Sequence, residues 1–521
     1  MKKHSGYSHK ICRLVLFILL VNLFDSCKKE DNKPPVITSI NLIMNDTIRN
    51  NFNIKVEVTD NNSTARLELY ANDSLFAQID NLPFEYLWNT TKMKDGEYII
   101  KAVVYDSKGN KAESSTTVLV QNALLTINLG SENHAPFKLV IFDEQGSILN
   151  SALIQGSGKV IIMPLTPAEN DAINLVSYST SNGFTGIIAY VHVKRGSEYN
   201  MDWKSSGPVV KGFKIHIKND IGSFSQVWLS TDQTFYKISS MADTMNLPAA
   251  IPYTSGHKLL LQLETIEGKF YSFLTIDNID ELTVKLSDIN IKQSRKSISI
   301  PSTGHASYLL MGSINEKDST KRYYISEGES APDADHLDVY YPIDYFSKYH
   351  TGVYFSQNNY DFKYYLNQYR GELPDRFDPI SVDFEIVNPQ PGNFKANTTG
   401  VFDLYRVEYY NQSQTIELQV VAPASQKEWK LPDLATAFDN IEFSLNNFIW
   451  NQVSIVNQGS LDWSNTYYDL SVNFEKLNFV EKYVQYLWIY NPLNVSKKQI
   501  RLKGENLPGN FLNQEWCSSS N

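Results

Sequence analysis

The chain has 521 residues, 42% hydrophobic and 20% charged, with 47 Lys and Arg against 57 Asp and Glu for a net charge of −10. The acidic balance excludes a general nucleic-acid binder, which needs clustered Lys and Arg against phosphates, and the hydrophobic content excludes wholesale disorder. Three Cys exclude a disulfide scaffold and a Cys-rich zinc protein. At about 100–200 residues per domain, three to five domains are expected. The 31 Tyr and 26 Phe favour strands.

The first 26 residues carry Lys2, Lys3, Lys10 and Arg13 against Asp25, so removing them leaves the remainder at −13. Leu14 to Val21 is an unbroken apolar run, extended by Leu23 and Phe24. It is too short for a spanning helix, which needs about 20 apolar residues, and it fits the hydrophobic region of a secretory signal. It ends at Leu23-Phe24-Asp25-Ser26-Cys27. A Cys in that place resembles the lipobox of bacterial lipoproteins, and Cys27-Lys28-Lys29-Glu30-Asp31-Asn32 resembles the charged stretch after the Cys in Bacteroidota-type surface lipoproteins. Phe24 and Asp25 depart from the usual small or aliphatic pair; the other reading is ordinary cleavage near Ser26. The resemblance implies a signal peptide at 1–26, lipidation at Cys27, a tether at 27–35 ended by Pro34-Pro35, and an outer-membrane, surface-exposed location held through the lipid.

From Val36 on, period-2 alternation in short runs separated by Gly, Asn, Asp and Pro is the strand signature. The fold class expected is all-β, as tandem β-sandwich modules with the first immunoglobulin-like. In 36–121, one face takes Ile54, Val56 and Val58, then Leu67 and Leu69, then Phe84, Tyr86 and Trp88, then Tyr98, Ile100, Ala102 and Val104. Asn72-Asp73, Lys94-Asp95-Gly96 and Asp106 to Asn110 mark turns. About seven strands at this spacing suggest a sandwich. The segments VEVTDNNSTARLELYANDSL and PFEYLWNTTKMKDGEYIIKAVVYDSKGN resemble bacterial Ig-like domains of surface proteins, which implies a spacer or binding unit without catalytic residues.

Phe137 to Ser147 and Phe213 to Ser223 share the pattern F-K-[LI]-x-I-x-[DN]-x-x-G-S, 76 residues apart. Tandem duplication and chance likeness both account for it; either way two further modules are expected, at 122–207 and 208–300. The remainder, 301–521, reads as a larger β-rich domain or two smaller ones, with strands at Val382 to Val387, Val401 to Tyr410, Gln414 to Ala422, Ile441 to Trp450 and Tyr467 to Phe474. The best helical stretches are Asp433 to Asn440 and Phe474 to Val480.

Motifs of catalysis are absent. No His-Glu-x-x-His pair and no Gly-x-Ser-x-Gly elbow occur; Gly156-Ser157-Gly158-Lys159 is a tight turn, and Cys517 is incidental. His192 and His216 read as exposed-face strand residues. Asp333, Asp335, His336 and Asp338 form an acidic cluster that reads as a solvated loop, without the spacing of a Ca²⁺ loop. No cofactor and no metal site is expected. Asp383 and Glu385 share one strand face and are the best pair for glycoside hydrolysis, which needs two acids about 5–9.5 Å apart across a cleft.

The most distinctive window holds Tyr340, Tyr341, Tyr345, Tyr349, Tyr354, Tyr360, Tyr364, Tyr365 and Tyr369, interleaved with Asn, Gln and Asp. Flat rings with polar tips grip sugars or protein patches; equally, Tyr pairs stabilise strands and fill a core with one wet edge. The function expected is a non-catalytic surface lipoprotein in adhesion or in binding a glycan or protein partner. The alternatives are a glycan-processing enzyme with its catalytic part in 301–521, and a purely structural envelope protein.

Overall fold

The computed structural model describes residues 31–61, 63–130, 134–181, 183–200, 211–247, 250–302, 304–314, 322–343, 345–356, 363–457 and 483–491. The architecture is all-β, a series of β-sandwich modules. The chain divides into two compact units, one ending at Ala123 and including Pro167–Glu169, the other made of the rest.

The first unit is a sandwich of two sheets. Val36–Ile40, Asn51–Thr59 and Phe84–Asn89 form one; Thr47–Ile48, Lys111–Val120, Gly96–Asp106, Thr64–Ala71 and Ser74–Ile79 form the other. The alternating residues read from the sequence are its core. Ile54, Val56, Leu67, Leu69, Phe84, Trp88, Ile100, Ala102 and Val104 are buried between the sheets, with Val58, Tyr86 and Tyr98 packed at the margin. Asn72 and Asp73 both have positive φ (47° and 65°) at the tip of a hairpin, as a two-residue turn matched to strand twist requires.

In the second unit, twelve strands make one continuous sheet. Four come from 134–194: Ile148–Gly156, His134–Phe142, Ala172–Ser181 and Phe184–Lys194. Eight come from 305–490: Ile416–Pro423, Leu404–Asn411, Phe448–Asn457, Tyr483–Tyr490, Lys363–Gly371, Lys348–Ser356, His305–Ser313 and Tyr323–Glu329. The sheet therefore crosses the boundaries expected at 207/208 and 300/301. The join is a parallel ladder, Thr185–Tyr190 against Ile416–Val421. Ile187, Ala189, Leu418 and Val420 from this ladder enter a single core with Tyr405, Val407, Tyr409, Val453 and Ile455. Val382–Asn388, Phe394–Gly400 and Glu428–Trp429 form a small sheet over that core. The helix Leu434–Phe438 adds Leu434, Ala437 and Phe438. Asp433 caps it by accepting from Ala435 N, and Asp439 ends it in the left-handed region.

Residues 211–292 form a separate sandwich inside this unit, with Phe213, Ile215, Val227, Leu229, Leu259 and Leu261 between its two sheets. The sequence likeness of 137–147 and 213–223 does not extend to pairing. In the first copy the two strands close as a hairpin, Phe137 opposite Ile154. In the second, Lys211–Lys218 pairs with Thr244–Asn246, Ile251–Tyr253 and Glu281–Lys285, while Gln226–Ser230 joins the other sheet. The stretch 441–447, expected as strand, is two 3-10 turns before the strand Phe448–Asn457 begins. Asn440 is the reason: its side chain accepts from Glu442 N and nucleates the first turn. The expected strand 467–474 and helix 474–480 lie outside the described residues.

Ala189 is fully buried on the parallel join. Ala189→Asp places a carboxylate there without a partner and is expected to cost at least about 4 kcal/mol. A denaturant melt of the chain checks this; an unchanged midpoint would contradict the join.

Candidate functional site

The Tyr-rich window divides between different surroundings. Tyr345 lies 4.2 Å (ring centroids) from Phe273 and 5.9 Å from Tyr323, and its hydroxyl accepts from Lys258 N at 3.0 Å. Tyr349 stands edge-on to Tyr341 at 5.4 Å and donates to the Pro342 carbonyl at 2.5 Å. Phe346 touches both groups. These rings form an aromatic seam between the 226–275 strands and the 305–371 strands, against a core containing Leu260, Tyr271, Tyr308 and Tyr323. Burial holds the Tyr323 phenol far above its ordinary value, so it stays protonated while it donates to the Lys258 carbonyl. Tyr365 and Tyr369 pack on the margin of the same core. Tyr340 is half-buried with Lys269 Nζ 5.0 Å from its ring, and Tyr354 is half-buried on the strand face opposite Val353 and Phe355. Tyr360, the side chain of Tyr364, and Cys27 lie outside the described residues.

A groove of about 970 Å³ opens elsewhere in the second unit, on the sheet face formed by 134–194. Its floor follows from register. Leu139, Ser177 and Ile188 lie in one row, and Ser179 faces Gly186 in another. Small residues keep this floor low, and a Cβ built on Gly186 would meet nothing within 4 Å. Phe137, Tyr190 and Tyr199 supply rings, and Gln155 supplies an amide at the mouth. Among the described residues no carboxylate lines the groove. Lys138, on its lining, donates to the Ala437 carbonyl at 2.7 Å and lies over the Phe438 ring. The chemistry offered is neutral: apolar faces with hydroxyl and amide groups. Sequence reasoning missed this groove because its members are spread over six strands, among them Leu125–Asn128 with Ile127 and Ser197–Asn200 with Tyr199, and only the cross-strand register gathers them.

The acidic candidates are separate from it. Asp383 accepts from Thr399 and Glu385 from Asn397, both on an exposed strand face. Asp335 pairs with His336 and Asp338 with Arg295. In the first unit Asp31, Asp60 and Asp106 bring carboxylate oxygens within 4.8 Å of one another, a set that could hold a hard cation such as Ca²⁺. Burial opposes charge on Asp106, but the Asn110 side chain and the N–H groups of Lys108, Asn110 and Gly109 outweigh it and hold this carboxyl below its usual value. Asp60 and Asp106 were legible only as turn residues; strand ends bring the turns together. Deep in the large sheet, Glu408 is closed between Arg406 (2.7 Å) and Gln452 (2.5 Å). Burial pushes its carboxyl up, with Arg406 pulling the other way.

His216 is no idle surface residue. Asn246 and Glu281 flank its two ring nitrogens, each at 2.5 Å, and these two bonds raise its pKa against a smaller opposing effect of burial. A histidine raised on folding stabilises the fold fully below its unfolded value of about 6.5. That contribution is lost as pH rises through the folded value. The melting temperature of the chain is therefore expected to fall over this range, and the His216→Gln variant is expected to lack that component. Parallel slopes for the two proteins would refute the tie.

A protein family described as a bacterial Ig domain matches residues 35–102. No curated protein matches the chain. Among solved structures, the fibronectin(III)-like modules of Clostridium thermocellum CbhA share 26% identity over 16% of this chain and 93% of theirs, with a TM-score of 0.15. A Bacteroides ovatus protein, SGBP-B of a mixed-linkage glucan utilization locus in complex with a mixed-linkage heptasaccharide, shares 12% identity over 59% of this chain and 92% of its own, at 0.17. A tetra-tandem repeat from the extending region of a large adhesion protein shares 10% over 78% and 90%, at 0.12.

Proposed function

We propose that this chain is a non-catalytic binding protein of the cell surface, lipid-anchored at Cys27, that holds a neutral glycan in the groove of 134–194. The observation that carries the reading is the groove's lining, where rings, hydroxyls and an amide converge with no acid among the described residues. Sugar rings present an apolar face and a rim of hydroxyls, and that lining complements both. Hydrolysis needs a pair of carboxylates across a cleft, and Asp383 and Glu385 stand on a different strand from any groove residue. The bacterial Ig domain supports an extracellular setting. In this reading the Tyr-rich window mainly fastens the 226–275 strands to the 305–371 strands, away from the groove, with Tyr340 and Tyr354 as secondary contacts.

Gly186→Leu tests the groove, because the added side chain enters open space and fills it without crowding the protein. Wild-type protein is expected to be retained on at least one immobilised neutral polysaccharide without releasing new reducing ends. The variant is expected to lose retention at least about tenfold, or ~1.4 kcal/mol, with an unchanged melting temperature. Undiminished retention by the variant would remove the groove from the proposal, and hydrolysis by either protein would replace binding with catalysis. The anchor is checked separately by mass spectrometry of membrane-fraction protein: the first residue is expected to be an acylated Cys27, and an unmodified Cys27 within a longer chain would exclude it.

A further inference from the structure

On one side the lining of the groove ends at the strand Phe184–Lys194, but the sheet face beneath it continues. Ile187 and Ala189 of that strand point into the main core, as do Ile416, Leu418 and Val420 of the next. Side chains alternate across a strand, so Gly186 and Ile188 share the opposite face with Glu417 and Gln419. The parallel ladder sets them side by side, Gly186 with Glu417 and Ile188 with Gln419. One strand further on, Tyr410 stands opposite Glu417, and Glu408 opposite Gln419. The groove floor thus continues as a row of Ser179, Gly186, Glu417 and Tyr410, each of them exposed or half-buried.

Glu417 brings a charge to this row. Neighbouring strands lie about 4.8 Å apart, and a Cβ built on Gly186 would meet nothing within 4 Å. A ligand resting over Gly186 therefore reaches the carboxylate with no side chain of the floor between them. Gln419 Nε2 donates to Glu417 Oε1 at 2.7 Å, which fixes the group, and a carboxylate has about four acceptor positions. Tyr410 answers to the same charge: burial first, and then Glu417, hold its phenol above its ordinary value. Arg406 is also on this face, but it stands opposite Val421, one strand further from the groove, and is closed on Glu408 at 2.7 Å. Lys138 is engaged on the Ala437 carbonyl. These two cations are turned to protein partners, while the carboxylate of Glu417 faces the side from which a ligand arrives.

We infer that Glu417 sets the charge selectivity of the groove: it accepts from the hydroxyls of a neutral sugar and repels glycans that carry carboxylate or sulfate groups. This rests on the reading of the groove as a glycan site and adds to it a residue outside the lining. Specificity of this kind comes from building repulsion against the wrong ligand. The repulsion grows as water is excluded from between the charges, and Glu417 is half-buried. Glu417 and Glu408 lie on the same side of Gly186, so they do not face each other across the groove as a hydrolytic pair would.

Retention of the whole chain on immobilised glucans, mannans and galactans tests this, with each polymer used before and after its primary alcohols are oxidised to carboxylates. The proteins are wild type, Glu417→Gln and Glu417→Gln/Gly186→Leu. Gln keeps an oxygen for Gln419, so Glu417→Gln is expected to keep the wild-type melting temperature and retention on the neutral polymer. Oxidation is expected to weaken wild-type retention at least about tenfold, and Glu417→Gln to hold the oxidised polymer at least about tenfold more tightly than wild type. That difference is expected to vanish at about 1 M salt, where charges are screened within about 3 Å; a structural role for Glu417 would leave it unchanged. Adding Gly186→Leu is expected to abolish the recovered retention, which ties it to the groove. Equal retention of wild type on neutral and oxidised polymer, or an oxidised polymer that wild type and Glu417→Gln refuse alike, overturns the inference and leaves the groove a glycan site. Wild type held by none of the neutral polymers removes that reading, and the inference with it.

Discussion

The long sheet of the second unit hangs on one parallel ladder, Thr185–Tyr190 against Ile416–Val421. Without it the sheet would end in two raw edges, and the core that now runs from Val140 and Phe142 through Ala189 and Leu418 to Val453 and Ile455 would be cut in half. The pairing joins residues more than two hundred positions apart, so its entropy of closure must be offset by what it buries. It buries a great deal: Ile187, Ala189, Leu418 and Val420 are all closed to water. Parallel strands need cover on both faces, and the small sheet of Val382–Asn388, Phe394–Gly400 and Glu428–Trp429 supplies it on one side, with Phe394 stacked on Trp429 at 3.8 Å.

Aromatic residues hold the rest together. Tyr405 and Tyr409 are wholly buried in the main core, and burial keeps both phenols far above their ordinary values. Tyr405 still finds a partner, donating to the Gln426 carbonyl. Tyr323, Tyr345, Phe346 and Phe273 do for the 226–371 seam what Phe84, Trp88 and Phe76 do for the first sandwich. Rings suit such joints because each spans the gap between two sheets and leaves a polar tip at the rim. A richness in Tyr is thus first a property of the joints.

The sequence disclosed the first sandwich almost residue by residue, because alternation in a strand with one wet face names its inward side chains directly. It also pointed to the helix at Leu434–Phe438, which Asp433 caps and Asp439 ends. It did not disclose the long sheet. Ile187, Ile188, Ala189, Tyr190 and Val191 form a continuous apolar run in the sequence, which fits a strand covered on both faces as well as one at a module boundary. No local signal says which distant strand it meets. The groove was hidden for the same reason, as Ser177, Ser179 and Gly186 are ordinary strand residues until Leu139 and Ile188 are set beside them. The Asp31, Asp60 and Asp106 grouping depends on which turns share one end of a sandwich, and turn chemistry alone does not specify that.

The order of strands along the chain sets a timetable for biosynthesis. The strand Phe184–Lys194 is made more than two hundred residues before its neighbour Ile416–Pro423 exists. At about 5–20 residues per second, that is a wait of roughly 10–45 s. During it, a half-finished sheet carries a bare hydrogen-bonding margin beside aliphatic side chains, the most aggregation-prone species such a chain can form. Holding the nascent polypeptide extended, by a chaperone or a secretion channel, until its last third has emerged removes that hazard. The topology therefore favours keeping the long sheet's early strands unpaired until their late partners have been made.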